Sequence, residues 1–292
     1  MMEKVVITGS SGRIGRALHW KLCQDCEVIG LDVSPSSATS QIMDIRDYEQ
    51  LLRSFEGVDT VFHSAALHAP HVGIASEKAF YDINVEATDK ICRAALASGV
   101  SQLVFTSTTA LYGYANQGHG KAAWVNEQTT PEPKTIYHKT KLEAENRLKE
   151  YSGTNLAVSV IRMSRCFPEP APKMAVYRLH RGVDYRDVAT AHLLAAQRDK
   201  PKNFDLYVVS GATPFLPSDG QGLFENPEAV IRERHPLLAQ AFDAKNWKFP
   251  DSIDRVYDSS YAQQTLGWRP QRGPLEVIKQ FEEEDFETLP AE

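Results

Sequence analysis

The stretch Lys4-Val-Val-Ile-Thr-Gly9-Ser-Ser-Gly12-Arg-Ile-Gly15 decides the fold class of this 292-residue chain. Its short β-branched run predicts a buried strand, and the glycine-rich turn that follows leads directly into a helix. The first glycine permits the tight turn, the second lets backbone N–H groups approach a pyrophosphate, and the third lets the helix lie close to the strand. Because the first N–H groups of a helix also lack partners, this turn predicts a dinucleotide site.

A second strand, residues 27–32, follows the first helix and ends in Asp32, seventeen positions after Gly15. A carboxylate there is expected to bind the hydroxyls of a ribose. It would repel the 2′-phosphate of NADP, and residues 33–37 contain no lysine or arginine to neutralise that phosphate. Arg13, inside the turn, is the contrary indication, and we expect it to face solvent or the pyrophosphate. The sequence therefore favours NAD over NADP.

Tyr137 and Lys141 stand four residues apart, and this spacing places them on one face of a helix. A free phenol titrates near ~10, but a neighbouring ammonium favours the phenolate and lowers the phenol pKa. The pair therefore indicates an acid/base for an alcohol or carbonyl substrate. Taken alone, it is equally typical of a solvated helical face.

Other motifs, in the same order along the chain, resemble those of the extended short-chain dehydrogenases/reductases, the NAD-dependent epimerase/dehydratase family. The third predicted strand resembles the family's signature there, and so do the central helix, the strand that carries the catalytic hydroxyl, and the closing helix and turn. These matches are Val5 to Gly15, Met43-Asp44-Ile45, residues 59–66, 84–88 and 105–113, Tyr137 with Lys141, and residues 258–270.

The resemblance implies a catalytic triad of Thr108, Tyr137 and Lys141. Tyr137 would exchange a proton with the substrate oxygen, and Lys141 would hold the nicotinamide ribose and depress the tyrosine pKa. Thr108 is assigned by register against the family's strand. Since residues 106–109 all carry hydroxyls, a shift of the register within this run is the alternative.

The resemblance also implies which residues bind the coenzyme and the substrate. Asn84 would anchor the central helix and a relay water, or it would only distort the helix. The implied coenzyme residues are Gly9, Ser11, Gly12, Arg13, Ile14, Gly15, Asp32, Asp44, Ile45, Ser64, Ala65, Ala66, Asn84, Thr106, Tyr137 and Lys141. The implied substrate residues are Leu67, His68, Thr108, Thr109, Tyr137 and Arg178.

The chain departs from the nucleotide-sugar enzymes of the family after the fifth long strand. Residues 162–168 lack the glycine of the family's R-x-x-N-x-Y-G-P signature, and only about fifteen residues separate Pro170 from Arg186. We expect this gap to be too short for the usual nucleotide-holding helix and loop. The stretch from Cys166 resembles the compact uronate dehydrogenases, in which an arginine clamps a carboxylate. Arg178 is the matching residue here, or it is a surface cation.

Three functions remain open from the sequence. The first is an NAD-dependent dehydrogenase of a sugar, sugar acid or related hydroxy or keto compound. The uronate branch carries Asn-His where this chain has Thr109-Ala110, which leaves the particular substrate open. The second is a nucleotide-sugar epimerase or dehydratase with tightly held NAD. The third is a non-catalytic dinucleotide-sensing regulator, which the retained Tyr137 and Lys141 disfavour.

Alternating elements predict an α/β fold, a Rossmann-type doubly wound parallel sheet with a small discontinuous C-terminal substrate lobe. We predict strands at 4–8, 27–32, 59–64, 102–107, 156–162 and 204–209, and helices at 13–24, 47–56, 76–98, 137–152, 186–198, 226–243, 260–266 and 274–286. The predicted domains are 1–162 with 186–210 for the coenzyme, 163–185 with 211–273 for the substrate, and a C-terminal helix and tail at 274–292.

Bulk properties limit the partners. A net charge of −6 provides no basic field for nucleic acid, and no apolar stretch is long enough for a bilayer span. We therefore expect a cytoplasmic enzyme, a homodimer through the helices near 76–98 and 137–152, with a small-molecule substrate. The four cysteines do not resemble a disulfide framework, and Cys23 with Cys26 has no second pair for zinc. His68 and His71 likewise lack further ligands, so no metal site is predicted.

Overall fold

A computed structural model describes residues 2–115, 120–151, 153–198 and 203–291. The chain divides into two compact units. Unit 1 consists of Met1–Gly113, Pro131–Arg162 and Val188–Tyr207, and unit 2 of Tyr114–Thr130, Met163–Asp187 and Val208–Glu292. The assignment of a coenzyme domain and a substrate lobe to such units stays a prediction.

The described residues contain strands and helices throughout both units. The strands are β1 Lys4–Thr8, β2 Glu27–Asp32, β3 Gln41–Ile42, β4 Thr60–His63, β5 Gln102–Thr108, β6 Ala123–Val125, β7 Ala157–Met163, β8 Phe204–Val209 and β9 Arg255–Tyr257. The helices are α1 Arg13–Leu22, α2 Tyr48–Ser54, α3 Glu77–Tyr81, α4 Ala87–Ala97, α5 Ile136–Glu150, α6 Ala171–His180, α7 Tyr185–Ala196, α8 Gly220–Glu225, α9 Pro227–Arg234, α10 Pro236–Lys245, α11 Ser260–Leu266 and α12 Pro274–Glu282.

The main sheet has seven strands among the described residues, in the order β3-β2-β1-β4-β5-β7-β8. β1 pairs in parallel with both β2 and β4, β2 pairs in parallel with β3, and β4 with β5. The chain moves outward in one direction from β1 to β3 and in the other direction from β4. In such sheets, ligands bind beyond the carboxyl ends of the strands at this reversal. The predicted Rossmann-type parallel sheet is confirmed.

The core of unit 1 lies between this sheet and its helices. Val6, Val61 and Leu103 of the strands pack in one apolar cluster with Ile91 of α4 and Leu148 of α5, and all five are fully buried. Burying one such side chain stabilises a fold by about 1.5–3 kcal/mol. The alternation of β-branched strands with amphipathic helices is therefore what places the strand ends, and the residues that follow them, at one edge.

The helix predicted at 76–98 is helical from Glu77 to Ala97, but it is not an α-helix throughout. α3 ends at Tyr81, a π-helical turn occupies Asp82–Glu86, and α4 follows. Asn84 lies in the wider turn and is buried, with its side-chain amide bonded to the backbone of Leu67. A π-turn of this kind is a common device at functional sites, because it redirects a side chain without ending the helix.

Unit 2 contains a two-stranded parallel sheet of β6 and β9, together with α6 and the helices from α8 onward. Its apolar cluster joins Leu179 of α6 with Phe242 of α10, Val256 of β9 and Val277 of α12. β6, β9, α6 and α8 were not predicted from the sequence. The gap after Pro170 holds the ten-residue helix α6, and the expectation that this gap is too short for the usual nucleotide-holding helix and loop stays a prediction.

Two further predicted helices are longer than the helices in the structure. The predicted helix 226–243 is two helices, α9 and α10, because Pro236 disfavours the helical conformation for His235, whose φ is −142°. The helix predicted at 274–286 ends at Glu282. Ser152, the last residue of the helix predicted at 137–152, lies outside the described residues. Over the described ranges, no helix combines the length and the apolar character that a membrane crossing needs.

Candidate active site and coenzyme turn

In the glycine turn of unit 1, backbone atoms approach two of the glycines so closely that no larger residue fits there. Gly9 has φ +72°, and a Cβ on it would lie 2.6 Å from the backbone nitrogen of Ala65. A Cβ on Gly15 would lie 2.1 Å from the carbonyl oxygen of Gly9. α1 begins after Gly12 with no side-chain cap and no acidic residue in its first turn. This helix end therefore suits the pyrophosphate of a dinucleotide, since it offers N–H groups and a positive dipole end.

Asp32 lies at the end of β2, beside the glycine turn. Its carboxylate accepts the backbone N–H of Ser11 at 3.0 Å and that of Ser34 at 2.9 Å. These two bonds fix the orientation of the carboxylate, and each oxygen retains a further lone pair for a ribose hydroxyl. The structure thus brings Asp32 together with the turn, as a strand-end acid of a dinucleotide site requires.

Other residues in the predicted coenzyme set differ in how accessible they are. Ile45 is buried in the core, whereas Asp44 is half-exposed and forms a forked ion pair with Arg46 at 2.5 Å. The hydrogen bonds from Arg46 lower the pKa of the Asp44 carboxyl. Ser64 donates its hydroxyl to the carbonyl of Thr8 at 2.8 Å. Ser64, Ala65 and Ala66 are all half-buried and directly follow β4.

His63, the last residue of β4, is buried, and both of its ring nitrogens contact threonine hydroxyls. Its Nδ1 lies 2.7 Å from the hydroxyl of Thr8 and its Nε2 lies 2.9 Å from that of Thr88. Burial, together with the charge of Lys141, lowers the pKa of His63 to about 3. The imidazole is therefore neutral at physiological pH and links β1, β4 and α4.

Lys141 is buried on α5 and its ammonium is held against the end of β5. Nζ donates to the carbonyl oxygen of Thr106 at 2.6 Å and lies 3.8 Å from the ring centroid of Phe105. Burial lowers the pKa of Lys141 to about 7, and the carboxylate of Glu145 opposes this shift. An amine with this pKa changes charge in the physiological range, unlike an ordinary exposed lysine.

Tyr137 lies one helical turn before Lys141 and is half-buried. It belongs to the first turn of α5, which Thr135 caps by accepting the N–H of His138 and which contains no acidic residue. The positive end of the helix dipole favours a negative charge at such a position. The stabilisation of the Tyr137 phenolate by Lys141 stays a prediction.

Thr106 cannot supply a free hydroxyl proton. The ring Nδ1 of His192 lies 2.9 Å from the carbonyl of Val188, which can only accept, so Nδ1 carries a proton. Burial lowers the pKa of His192 to about 4, so the ring is neutral and its Nε2 is an acceptor. Thr106, whose hydroxyl lies 2.8 Å from Nε2, therefore donates its proton to His192.

The remaining hydroxyls of the run, at residues 107–109, alternate between buried and half-buried positions. Ser107 is buried and donates to Glu145 at 2.5 Å, and Thr109 is also buried. Thr108 is half-buried, and its oxygen accepts the N–H of Ala110 at 3.1 Å. The bond to Ala110 uses a lone pair of Thr108 and leaves the hydroxyl proton for another acceptor.

Asn84 links the segment after β4 to the helix that carries Tyr137. Its Oδ1 accepts the N–H of Leu67 at 2.8 Å, and its Nδ2 donates to the carbonyl of Leu67 at 2.9 Å and to the hydroxyl of Thr140 at 3.1 Å. The next residue, His68, donates its backbone N–H to Nδ1 of His71 at 3.0 Å. These contacts are structural, and they fix the backbone of the predicted substrate residues Leu67 and His68. Within the described ranges, no three His, Cys, Asp or Glu side chains form a metal-binding group.

Arg178 belongs to unit 2 and is not a surface cation, so that alternative was wrong. Its side chain is 3% exposed and donates to Asp184 at 3.2 Å. It lines a small concavity together with Cys166 and Tyr177. The run from Cys166, which resembles the uronate dehydrogenases, and its matching residue Arg178 therefore meet at one concavity of this unit.

A glycine turn, a strand-end acid and a Tyr–Lys helix on one parallel sheet define the class of short-chain dehydrogenases/reductases. The chain belongs to the NAD-dependent epimerase/dehydratase family, which it matches over residues 5–174.

The names of individual relatives describe different reactions on sugars. The chain is 30% identical to an L-arabinose 1-dehydrogenase (NAD(P)(+)) of Haloferax volcanii, over 95% of this chain and 100% of that protein. It is 31% identical to N-acetyl-alpha-D-glucosaminyl-diphospho-ditrans,octacis-undecaprenol 4-epimerase of Escherichia coli O157:H7, over 58% of this chain and only 50% of the relative. A short-chain dehydrogenase/reductase superfamily protein from Agrobacterium tumefaciens, solved with bound NAD, has the same fold, with a TM-score of 0.71, 17% identity and 95% coverage of both chains.

Two residues that bond directly to β5 were not predicted from the sequence: Glu145, which accepts from Ser107, and His192, which accepts from Thr106. Arg162, the first residue of the run 162–168 that was compared with the family signature, bonds to Glu145 and Tyr112, and no role was predicted for it. Glu145 stands four positions after Lys141 and eight after Tyr137, so the helical spacing could have identified it. No comparable signal was available for His192, because its contact with Thr106 joins distant parts of the chain.

Proposed function

We propose that this protein is an NAD-dependent oxidoreductase that acts on a sugar, a sugar acid or a related hydroxy or keto compound, with Thr108, Tyr137 and Lys141 as its catalytic residues. The observation that carries the proposal is the burial of Lys141 against β5, one helical turn from Tyr137. Bound NAD would supply or accept the hydride at its nicotinamide ring.

Each residue has a separate role in this proposal. Tyr137 exchanges a proton with the substrate oxygen, a step worth typically ~10²–10⁴-fold in rate. The ammonium of Lys141 holds the nicotinamide ribose and stabilises the phenolate. Thr108 hydrogen-bonds the same substrate oxygen, and its support is that Thr106 and Ser107 already donate elsewhere.

The coenzyme is proposed to be NAD, with NADP disfavoured. The pyrophosphate would lie at the start of α1, where Gly12 leaves the helix uncapped, and the adenosine ribose at Asp32. Because Asp32 stays oriented by two backbone N–H groups, a 2′-phosphate would meet its carboxylate at close range. Titration of both coenzymes into the protein tests this, and NADP binding as tight as NAD binding would contradict it.

The substrate class is proposed from Arg178 and from the relatives. A buried guanidinium binds a carboxylate well, through two parallel hydrogen bonds. The H. volcanii relative, which aligns over its whole length, is named for the oxidation of a simple sugar. Scanning sugars, uronates and simple alcohols for NADH production tests the proposal, and no turnover with any of them would argue against it.

A nucleotide-sugar epimerase or dehydratase is the second candidate, and the names of several relatives favour it. Nucleotide retained on the purified protein, with product formed but no net NADH, would support it over the first.

A homodimer through the helices at 76–98 and 137–152 is proposed as the assembly, and light scattering on the purified protein tests it. A cytoplasmic location stays a prediction.

A further inference from the structure

Glu145 lies on the same face of α5 as Tyr137 and Lys141, one turn beyond the lysine. It is 3% exposed. Ser107 donates to its Oε1 at 2.5 Å, and Arg162 donates to its Oε2 from Nη2 at 2.6 Å and to both oxygens from Nε at 3.1 Å. The carboxylate is therefore fixed by partners on two strands of the sheet.

Arg162 is itself held in place. It lies on β7, is buried, and donates from Nη1 to the hydroxyl of Tyr112 at 2.9 Å. Its guanidinium also lies over the ring of Tyr112, 5.0 Å from the centroid. Because apolar residues of similar volume can replace a buried ion pair at little cost in stability, this pair allows a role other than stabilising the fold.

The titratable groups around Lys141 indicate that this role is electrostatic. Its α5 neighbours are Tyr137 and Glu145, and its neighbours from β4 and the segment after it are His63 and His68. Burial lowers the pKa of His63 and that of His68, so neither carries a charge near neutral pH. Burial also favours a neutral Lys141, and Glu145 is the negative charge in this set that opposes it.

We propose that Glu145 is a positioning residue: Ser107 and Arg162 fix its carboxylate one turn from Lys141, where its charge keeps the lysine protonated for ribose and phenolate binding. This inference rests on the proposed function of Lys141. The Ser107–Glu145–Arg162 network thereby controls the protonation of Lys141.

The test is the affinity for NAD as a function of pH, measured by calorimetry or fluorescence titration without turnover. Affinity should fall as pH rises through the Lys141 pKa. For two charges about 6 Å apart, the separation typical of positions i and i+4 on a helix, an effective dielectric constant of about 20 gives a pKa shift of about 2 units. Because Arg162 keeps its charge in the variant, Glu145→Gln should lower the midpoint by about 2 pH units and leave the affinity on the acidic side of both midpoints unchanged.

Two controls separate charge from structure. Glu143→Gln removes a half-exposed carboxylate from the same helix, and it should not move the midpoint, because solvent screens that charge. Lys141→Met should bind weakly at every pH, without a midpoint in this range. If Lys141→Met kept the parental midpoint, another group would be responsible for it, and the inference would be wrong.

A double variant protects the test against misfolding. Glu145→Gln alone leaves Arg162 buried and unpaired, whereas Glu145→Gln/Arg162→Met removes both charges with similar volume. The folded double variant should still show a lower midpoint than the parent, with a smaller shift than the single variant. An unchanged midpoint, or an equal loss of affinity at all pH values, would overturn the inference. Failure of the parent to bind NAD at any pH would instead overturn the proposed function.

Discussion

The assignment of the catalytic hydroxyl can be tested by removing one hydroxyl at a time from the end of β5. Thr108→Val keeps the shape of the side chain and removes the donor to the substrate oxygen. Loss of one such preorganised donor costs about 10²–10³-fold in kcat, which is about 3–4 kcal/mol. The N–H of Ala110 loses its acceptor as well, and because this group is near the surface we expect only about 1 kcal/mol in stability.

Thr106→Val is the matched comparison, because the same substitution acts there on a different network. It removes the donor to Nε2 of His192, which is fully buried, so the free energy of unfolding should fall by about 1–3 kcal/mol. With saturating NAD, kcat of the folded Thr106→Val protein should stay near the parental value, because the backbone carbonyl that accepts from Lys141 is retained, and KM for NAD reports on the predicted coenzyme role of Thr106. Thr108→Ser should retain most of the activity, since it keeps the hydroxyl.

Steady-state NADH absorbance with the best substrate found gives kcat and KM, and urea unfolding gives the stability of each variant. The reasoning would be refuted by Thr108→Val with parental kcat, and most directly if Thr106→Val lost turnover instead. In that case the neutral tautomer deduced for His192 would be wrong, and the catalytic register would shift by two residues.

Further variants test the other assignments. Tyr137→Phe should bind NAD nearly as the parent does while turnover falls by about 10²–10⁴-fold, and parental turnover in a folded variant would exclude the tyrosine as the acid/base. Lys141→Met should weaken NAD binding and move the activity optimum to higher pH, because the phenolate loses its cationic neighbour; an unchanged pH profile would contradict this role. Asp32→Ala should narrow the preference for NAD over NADP by removing the repulsion of a 2′-phosphate, which comparative titrations measure directly. Acid should destabilise unit 1: His63 and His192 have pKa values of about 3 and 4 when folded, so below about pH 6.5 the unfolded chain binds more protons and each histidine costs about 2 kcal/mol at pH 5. Urea unfolding from pH 7 to 5 measures this, and a flat profile would mean that these rings are accessible.

The sheet could be predicted from the sequence because its signals are local. β1, β2 and β8 have the predicted bounds, since each is a short run of apolar residues between turn residues. The π-turn around Asn84 could not be predicted, because it depends on hydrogen bonds to Leu67, seventeen residues away. β6 and β9 were missed for a similar reason: each has three residues, and the two strands pair across nearly half of the chain.

The same distinction holds for the site. Tyr137 and Lys141 could be paired from their spacing, because a helix brings positions i and i+4 together whatever else the chain does. The hydroxyl register could not be decided this way. The partner of Thr106 is 86 residues away and that of Ser107 is 38 residues away, so only the folded structure shows which protons are already donated.

Arg178 illustrates how a buried ion pair can be compatible with substrate binding. Asp184 accepts three hydrogen bonds from Arg186, at 2.8, 2.9 and 3.0 Å, and a longer one from Arg178 at 3.2 Å. Losing a partner is costly for a buried carboxylate only when nothing else compensates its charge. Arg186, which also pairs with Glu276 at 3.0 Å, would keep its three hydrogen bonds to Asp184 if Arg178 exchanged its longer contact for a substrate carboxylate. The burial of Arg178 is therefore consistent with a sugar acid as the substrate, and the residue that makes it so is Arg186.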